Sequence, residues 1–274
     1  MLTRLSQSAF GTVADLLTGL DHQLSVGAVL AGAMPGAVFV DDPTRPSAVF
    51  VHSPEGDFVG GDPNNLSFVT GLRAHLTATF DAERDGDLVL SFDHDGWLSV
   101  AEAIVPDLFL FKVPRRHYLF CGERPRPGSD LAPGYRIALI DAAFLERQQV
   151  PDHVWDWMDG NWGGAEGFLA NGFGVAAVQG EAVVSWSLAD CIVADRAEIG
   201  IHTAYEHRRR GLAVQVTAAA VAVAVDRGLT EVGWHCNEDN PGSYRTAESV
   251  GFRLERRYDF LAGRSQAMGE GRWP

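Results

Sequence analysis

The spacing of apolar positions changes along the chain, and each change marks an element. Residues 1–20, MLTRLSQSAFGTVADLLTGL, read as an amphipathic first helix, too short and too interrupted in its apolar run for a signal peptide. AVFVDDPTRPSAVFVH then alternates as two short strands around a proline-bearing loop. NNLSFVTGLRAHLTATF has helical spacing with Asn64 or Asn65 as its cap, DLVLSF is a strand, and GWLSVAEAIV is a short helix. Prolines and glycines gather in CGERPRPGSDLAPGY between the strand-like runs HYLF and RIALI, which predicts a boundary near residue 130. The expected domains are therefore 1–130 and 131–274, an α+β (mixed) arrangement.

Downstream, AFLERQQVPDHVWDWMDGNW supplies tryptophan-rich helical segments. GFGVAAVQGEAVVSWSLADCIVADRAEIGIHTAY reads as three antiparallel strands with a turn at Gly180-Glu181. Gly172 to Ala177 imitates a dinucleotide-binding fingerprint, but that motif must follow a strand and open a helix, and here a strand and hairpin follow instead. A strand to Thr203, a helix from Leu212 to Arg227 stopped by Gly228, the strand EVGWHC, a last helix opened by NEDNPGS and the strand GFRLERRYDFL complete the order.

Composition narrows the setting. The 274 residues are 46% hydrophobic and carry 36 acidic against 22 basic residues, a net charge of -14, which disfavours nucleic acid and anionic membranes as partners. A cationic partner suits that field. Leu212 to Val225 is uncharged, yet it reaches only about two-thirds of the ~20 residues a membrane span needs. Cys121, Cys191 and Cys236 are far apart, with no metal-ligand spacing, and read as reduced thiols of a cytoplasmic protein that holds no metal.

Against this acidic background, EIGIHTAYEHRRRGLAVQ places Arg208, Arg209 and Arg210 before Gly211. A strand entering a glycine-bearing loop and a helix N-terminus makes an anion site, because the first helical N–H groups lack partners and the dipole favours negative charge. Gly211 lets a bulky anion lie against the main chain, and Ala213 keeps the first turn narrow. The ligand this suggests is a pyrophosphate.

Arg208 to Ala213 fits the pattern R/Q-x-x-G-x-G/A, and with the element order it resembles the GNAT superfamily of acetyl-coenzyme A-dependent N-acetyltransferases. A second match runs from Asn240-Pro241-Gly242-Ser243 to Ala247-Glu248-Ser249-Val250-Gly251-Phe252. EIGIHT, WHCNEDNPGS, AESVGF and, upstream, FVGGDPNN are similar to the subgroup that includes zwittermicin A resistance acetyltransferases. The superfamily resemblance covers about Gly172 to Phe260, and it makes the first half an α+β domain comparable to a degenerate GNAT-like half that forms a wall of the acceptor pocket.

The resemblance implies that acetyl-coenzyme A is the co-substrate. Arg208, Arg209, Arg210, Gly211, Leu212 and Ala213 would hold its pyrophosphate, Ile201, His202 and Thr203 would line its pantetheine arm, and Asn240 and Ser243 would complete the site. Glu198 is the expected general base. Relatives often carry a tyrosine where this chain has Ala247, so the leaving sulfur departs unassisted or takes a proton from water, Ser243 or Tyr244, with packing the better role for Tyr244. His202 could face the same cleft or be structural. The expected acceptor is a primary amine of a small metabolite or antibiotic, with Asp152, Asp156, Asp159, Glu166 and Asp190 as acidic candidates near it, and the protein a monomer or homodimer. The missing tyrosine keeps a second reading open, a coenzyme A-binding module without turnover; an inherited scaffold or toxin-neutralising partner is a third.

Overall fold

The computed structural model describes residues 2–80, 87–105, 107–126 and 130–265. The chain forms two compact units: Met1–Gly32, Gly36–Pro114 and Asp259–Pro274 make the first, and Ala33–Pro35 with Arg115–Tyr258 make the second. The division falls at Pro114/Arg115 and not near residue 130, and part of the intervening loop, 127–129, lies outside the described residues. Strand pairing is the cause. Strand β6 (Leu108–Phe120) pairs from Arg115 to Phe120 with β11 (Glu231–Asn237), which commits that stretch to the second unit. Strand β12 (Arg253–Ser265) pairs through Leu261–Gly263 with β5 (Leu88–Phe92), which returns the end of the chain to the first.

In the first unit, Thr3–Arg4 form β1, so the first helix, a 3-10 helix, begins only at Gln7 and runs to Leu20. It buries Phe10, Val13, Leu17 and Leu20 on one face. The two strands expected around the proline loop are β2 (Ala37–Val40) and β3 (Ala48–Ser53), paired antiparallel, and β4 (Gly56–Gly61) follows by a hairpin and pairs parallel with β5. Asn65 caps the Leu66–Thr79 helix by accepting a hydrogen bond from Phe68 N–H at 3.0 Å. Phe50, Phe68, Leu72, Leu90, Trp97 and Ile104 close this core. Gly60 belongs to the close approach of β4 to the first helix, since a Cβ there would stand 2.0 Å from the Leu16 carbonyl oxygen.

The second unit has the strand order β6-β11-β10-β9-β8-β7, where β7 is Arg136–Leu139, β8 Gly174–Gln179, β9 Ala182–Val193 and β10 Arg196–Thr203. The glycine-rich run from Gly172 thus enters a strand, as its context required. Strand β8 is apolar at every position from Val175 to Val178 because both of its faces are covered. Val175 and Ala177 join a core with Leu212, Val216, Ala220 and Trp234, and Ala176 and Val178 join another with Val154, Met158, Phe168 and Leu188. The first core is closed by the Leu212–Asp226 helix and the second by the Asp152–Trp162 helix. Each large side chain buried in this way contributes ~1.5–3 kcal/mol. Among the described residues no helix is long and apolar enough to cross a membrane, and the three cysteines are free thiols.

Candidate functional site

Strands β10 and β11 run parallel and pair at Arg196–Glu198 with Glu231–Gly233. Beyond those residues β10 continues to Thr203 and β11 to Asn237, so Glu198 stands at the last position where β10 pairs with β11. The pairing of β10 with β9 shifts between Glu198 and Ile199, leaving Asp190 as the extra residue of a bulge. A cavity of about 570 Å³ opens along the end of β10, where Ile201, His202 and Thr203 form one side. His207, Arg208, Arg209 and Gly211 to Val214 form a second side, and Asn240, Gly242, Ser243 and Thr246 a third.

The loop is shaped by backbone. Arg209 and Gly211 both adopt left-handed conformations, with φ of 61° and 77°. Gly211 is the cap of the Leu212–Asp226 helix and contributes no side-chain bond, which leaves the amides of the first turn for an outside acceptor. The three arginines diverge. Arg208 Nε donates to the Thr203 carbonyl at 3.0 Å and fastens the loop to β10, Arg209 lies on the cavity wall, and Arg210 turns away, its Nη2 3.4 Å from the Glu206 carbonyl. A cavity rimmed by free amides and arginine fits a pyrophosphate-bearing ligand such as coenzyme A.

At the third side, Asn240 Oδ1 accepts from Ser243 N–H at 3.0 Å and caps the Pro241–Val250 helix. Ser243 Oγ accepts from Trp234 Nε1 at 3.0 Å. Tyr244 does not line this cavity: its ring packs under the Arg116 guanidinium, 4.2 Å from ring centre to Cζ, while Ala247 is fully buried in the core. Consecutive on the helix, Ser243 and Tyr244 project about 100° apart around its axis and so leave from different faces.

Glu198 is 8% exposed and points over Gly233, where a Cβ would meet Oε2 at 3.1 Å. Its Oε1 lies 3.1 Å from His235 Nε2 and has no hydrogen-bond partner. Loss of hydration raises its pKa to about 7, against the lowering effect of His117, Arg115 and Arg196. His235 Nδ1 is 2.9 Å from the Tyr258 hydroxyl, and His117, opposite His235 in the β6–β11 register, stacks on it with ring centres 4.3 Å apart. His117 Nδ1 is in turn 3.1 Å from Glu255 Oε2, and burial followed by the neighbouring His235 pushes the His117 pKa down. His117, Glu198 and His235 offer donor atoms within 4.8 Å of one another, a set able to hold a metal ion. Sequence spacing gave no sign of this group. His117 comes from β6, far upstream, and only the strand register brings it to His235.

On the same face of β10, two residues from Glu198, Gly200 makes room for Trp157 and Asp190: a Cβ there would stand 2.7 Å from the indole and 3.0 Å from Asp190 Oδ1. His202 stacks on Trp186, ring centres 5.8 Å apart. Of the five acidic residues expected near the acceptor, Asp190 is buried here, whereas Asp152, Asp156, Asp159 and Glu166 are exposed on helices.

A model of the GNAT acetyltransferase family matches residues 14–261, a span that begins well upstream of the stretch whose motifs resemble the superfamily and includes it. The uncharacterised N-acetyltransferase YdfB of Bacillus subtilis (strain 168) is 26% identical over 259 residues, 94% of this chain and 97% of that protein. Among solved structures, a GCN5-related N-acetyltransferase-like protein from Streptococcus suis 89/1591 shares the fold with a TM-score of 0.71 at 21% identity, over 94% of this chain and 99% of its own. A tandem GNAT protein from the clavulanic acid biosynthesis pathway does so with a TM-score of 0.60 at 13% identity, over 96% of this chain and 97% of its own. The chain belongs to the GNAT acetyltransferase family and is an N-acetyltransferase.

Proposed function

We propose that the protein transfers an acetyl group from acetyl-coenzyme A to a primary amine of a small metabolite or antibiotic by direct attack on the thioester. The observation that carries the reading is Glu198, a buried carboxylate with an uncommitted oxygen and a pKa near neutrality, at the point where β10 leaves β11. A general base is most effective when its pKa lies near the working pH. Glu198 Oε1 would take the proton of the ammonium group, leaving the neutral amine as nucleophile.

Bound acetyl-coenzyme A would supply the acyl group already activated as a thioester. Gly211, Leu212 and Ala213 would hold its pyrophosphate through main-chain amides, with Arg208 and Arg209 beside them and Arg210 contributing charge at longer range. The end of β10, Ile201 to Thr203, would line the pantetheine arm, and Asn240 would keep the third side in place. Ser243 lines the cavity with its oxygen accepting from Trp234 and its hydroxyl beside the Cys236 thiol, and it would turn that hydroxyl toward the departing sulfur. Tyr244, packed under Arg116, is a poorer donor.

For the acceptor, support comes from the net charge of -14, from buried Asp190 beside Trp157, and from the resemblance of EIGIHT, WHCNEDNPGS and AESVGF to the zwittermicin A resistance-type subgroup. A carboxylate next to an indole suits an organic cation. Coenzyme A release, followed with a thiol reagent across a panel of amines, tests this reading: polyamine-like or aminated antibiotic acceptors should outrun a histone-like peptide. Silence from every amine, in a protein that binds coenzyme A, would contradict it.

A further inference from the structure

The first unit has a cavity of its own, about 490 Å³ in volume, formed by β2, β3, β4, the start of β5 and the last turn of the Leu66–Thr79 helix. None of its lining residues belongs to the coenzyme cavity. Volumes of ~300–1,000 Å³ are usual for small-molecule sites, and the lining here combines Phe39, Phe50 and Phe80 with His75 and the carboxylate of Asp57. We propose that this cavity binds a small organic cation, a primary ammonium group on an apolar body, with Asp57 as its counter-ion.

Asp57 is the residue that calls for a ligand. It is 7% exposed in a strand whose next residues, Phe58 and Val59, are apolar and buried, and a carboxylate out of water is costly unless its oxygens are satisfied. An ionised carboxylate offers about four acceptor positions. His52, opposite Asp57 in the β3–β4 register, brings Nδ1 to 2.7 Å from Oδ1 and so serves one of them. Burial pushes the Asp57 pKa up, and bonding to His52 and the nearness of His75 act against it. An ammonium group beside the carboxylate would hold it ionised.

The surroundings select a cation over an anion. The cavity lies at the C-terminal end of the Leu66–Thr79 helix, where the last carbonyl groups carry the negative end of the dipole and no basic residue stands in the final turn. The coenzyme cavity, at a helix N-terminus, has the opposite polarity. Of the carboxylates that line the cavity of the first unit, Asp87 is held by Arg264, with Nε 2.8 Å from Oδ1, and Glu55 is exposed to water. Asp57 is therefore the anchor. The His75 ring stands 4.5 Å from Phe39 and 5.9 Å from Phe50, centre to centre, and an aromatic cluster of this kind favours a cation with apolar substituents.

Benzylammonium is the probe, with benzyl alcohol as its uncharged counterpart. Calorimetric titration of the intact protein, saturated with coenzyme A, should show saturable binding of benzylammonium and at least roughly tenfold weaker binding of the alcohol, which lacks the charge-assisted bond to Asp57. Asp57→Asn should weaken benzylammonium by a similar factor. If that variant does not fold, Thr79→Lys carries the test from an exposed helix position, because it brings a tethered ammonium to the cavity and should weaken the probe in the same way. Glu198→Gln should bind the probe as the parent does, which separates this cavity from the acceptor site for acetyl transfer. No saturable binding to the parent, equal affinity for the alcohol, or parent affinity in Asp57→Asn and Thr79→Lys would overturn the proposal. Loss of binding in Glu198→Gln with parent affinity in Asp57→Asn would overturn it too, and would place the amine at the acetyl-transfer site.

Discussion

The Glu198 carboxylate lies against Gly233 so closely that a Cβ at residue 233 would stand 3.1 to 3.2 Å from three of its atoms. The two residues are paired in the parallel register of β10 and β11, so the absence of a side chain at 233 fixes where the carboxylate can lie. Gly233→Ala should shift it by a few tenths of an ångström and lower turnover on the order of tenfold, since small misplacements of a reacting group are costly. Calorimetric titration should meanwhile give an unchanged coenzyme A affinity. A tenfold loss of affinity instead would mean that residue 233 serves the coenzyme cavity.

The coenzyme loop should be more sensitive to Gly211 than to Arg208. Gly211→Glu strains a backbone at φ 77° and brings a carboxylate to the anion site, so coenzyme A affinity should weaken by at least roughly tenfold. Arg208→Ala loses one charge and the bond to Thr203, leaves the helix amides in place, and should weaken binding less. The ranking is read directly by titration of the two variants.

Burial of Glu198 also makes a statement about stability. Its folded pKa, about 7, lies above the ordinary 4.5, so between those values the folded protein holds a proton that the unfolded chain has lost. Stability therefore falls as pH rises through this window, by about 3 kcal/mol for the full shift. Glu198→Gln removes the titration. The melting temperature of the variant should exceed that of the parent at pH 8 and approach it at pH 5, and an equal gap at both values would show that the carboxylate is not the titrating group.

Acceptor binding should depend on salt. The acidic surface draws a cation by a long-range field, which ions screen over ~8 Å at physiological strength. The Michaelis constant of a cationic amine should rise between low and physiological salt, while that of coenzyme A should not rise in parallel. A neutral amine as the best acceptor, or a salt-independent constant, would assign the net charge to solubility.

The parts of this site visible in the sequence are the local ones. A helix cap, a tight loop and a strand preceding them are encoded within Ile201 to Ala213, so the loop chemistry could be read from adjacent residues. Asn240 and Ser243 were visible for the same reason, being three residues apart in a helix start. The environment of Glu198 was not visible, because it is assembled by strand register: His117 from β6, His235 from β11, and Glu255 and Tyr258 from β12 are far apart along the chain. The packing of Tyr244 under Arg116 depends likewise on a neighbour contributed by a distant segment. The boundary expected near residue 130 followed a proline-rich loop, whereas compactness follows the partners of two long strands. Proline marks a turn in the chain; it does not say which sheet the flanking strands join.

The central claim, that Glu198 is the base for acetyl transfer to an amine, is tested most directly by the pH–rate profile of coenzyme A release in the parent and in Glu198→Gln. The carboxylate must be ionised to accept a proton, so the parent rate should rise with pH through an inflection near 7. In Glu198→Gln that limb should flatten and turnover should fall by ~10² to 10⁴, with coenzyme A affinity nearly intact. Equal rates and the same inflection in both proteins would contradict the account.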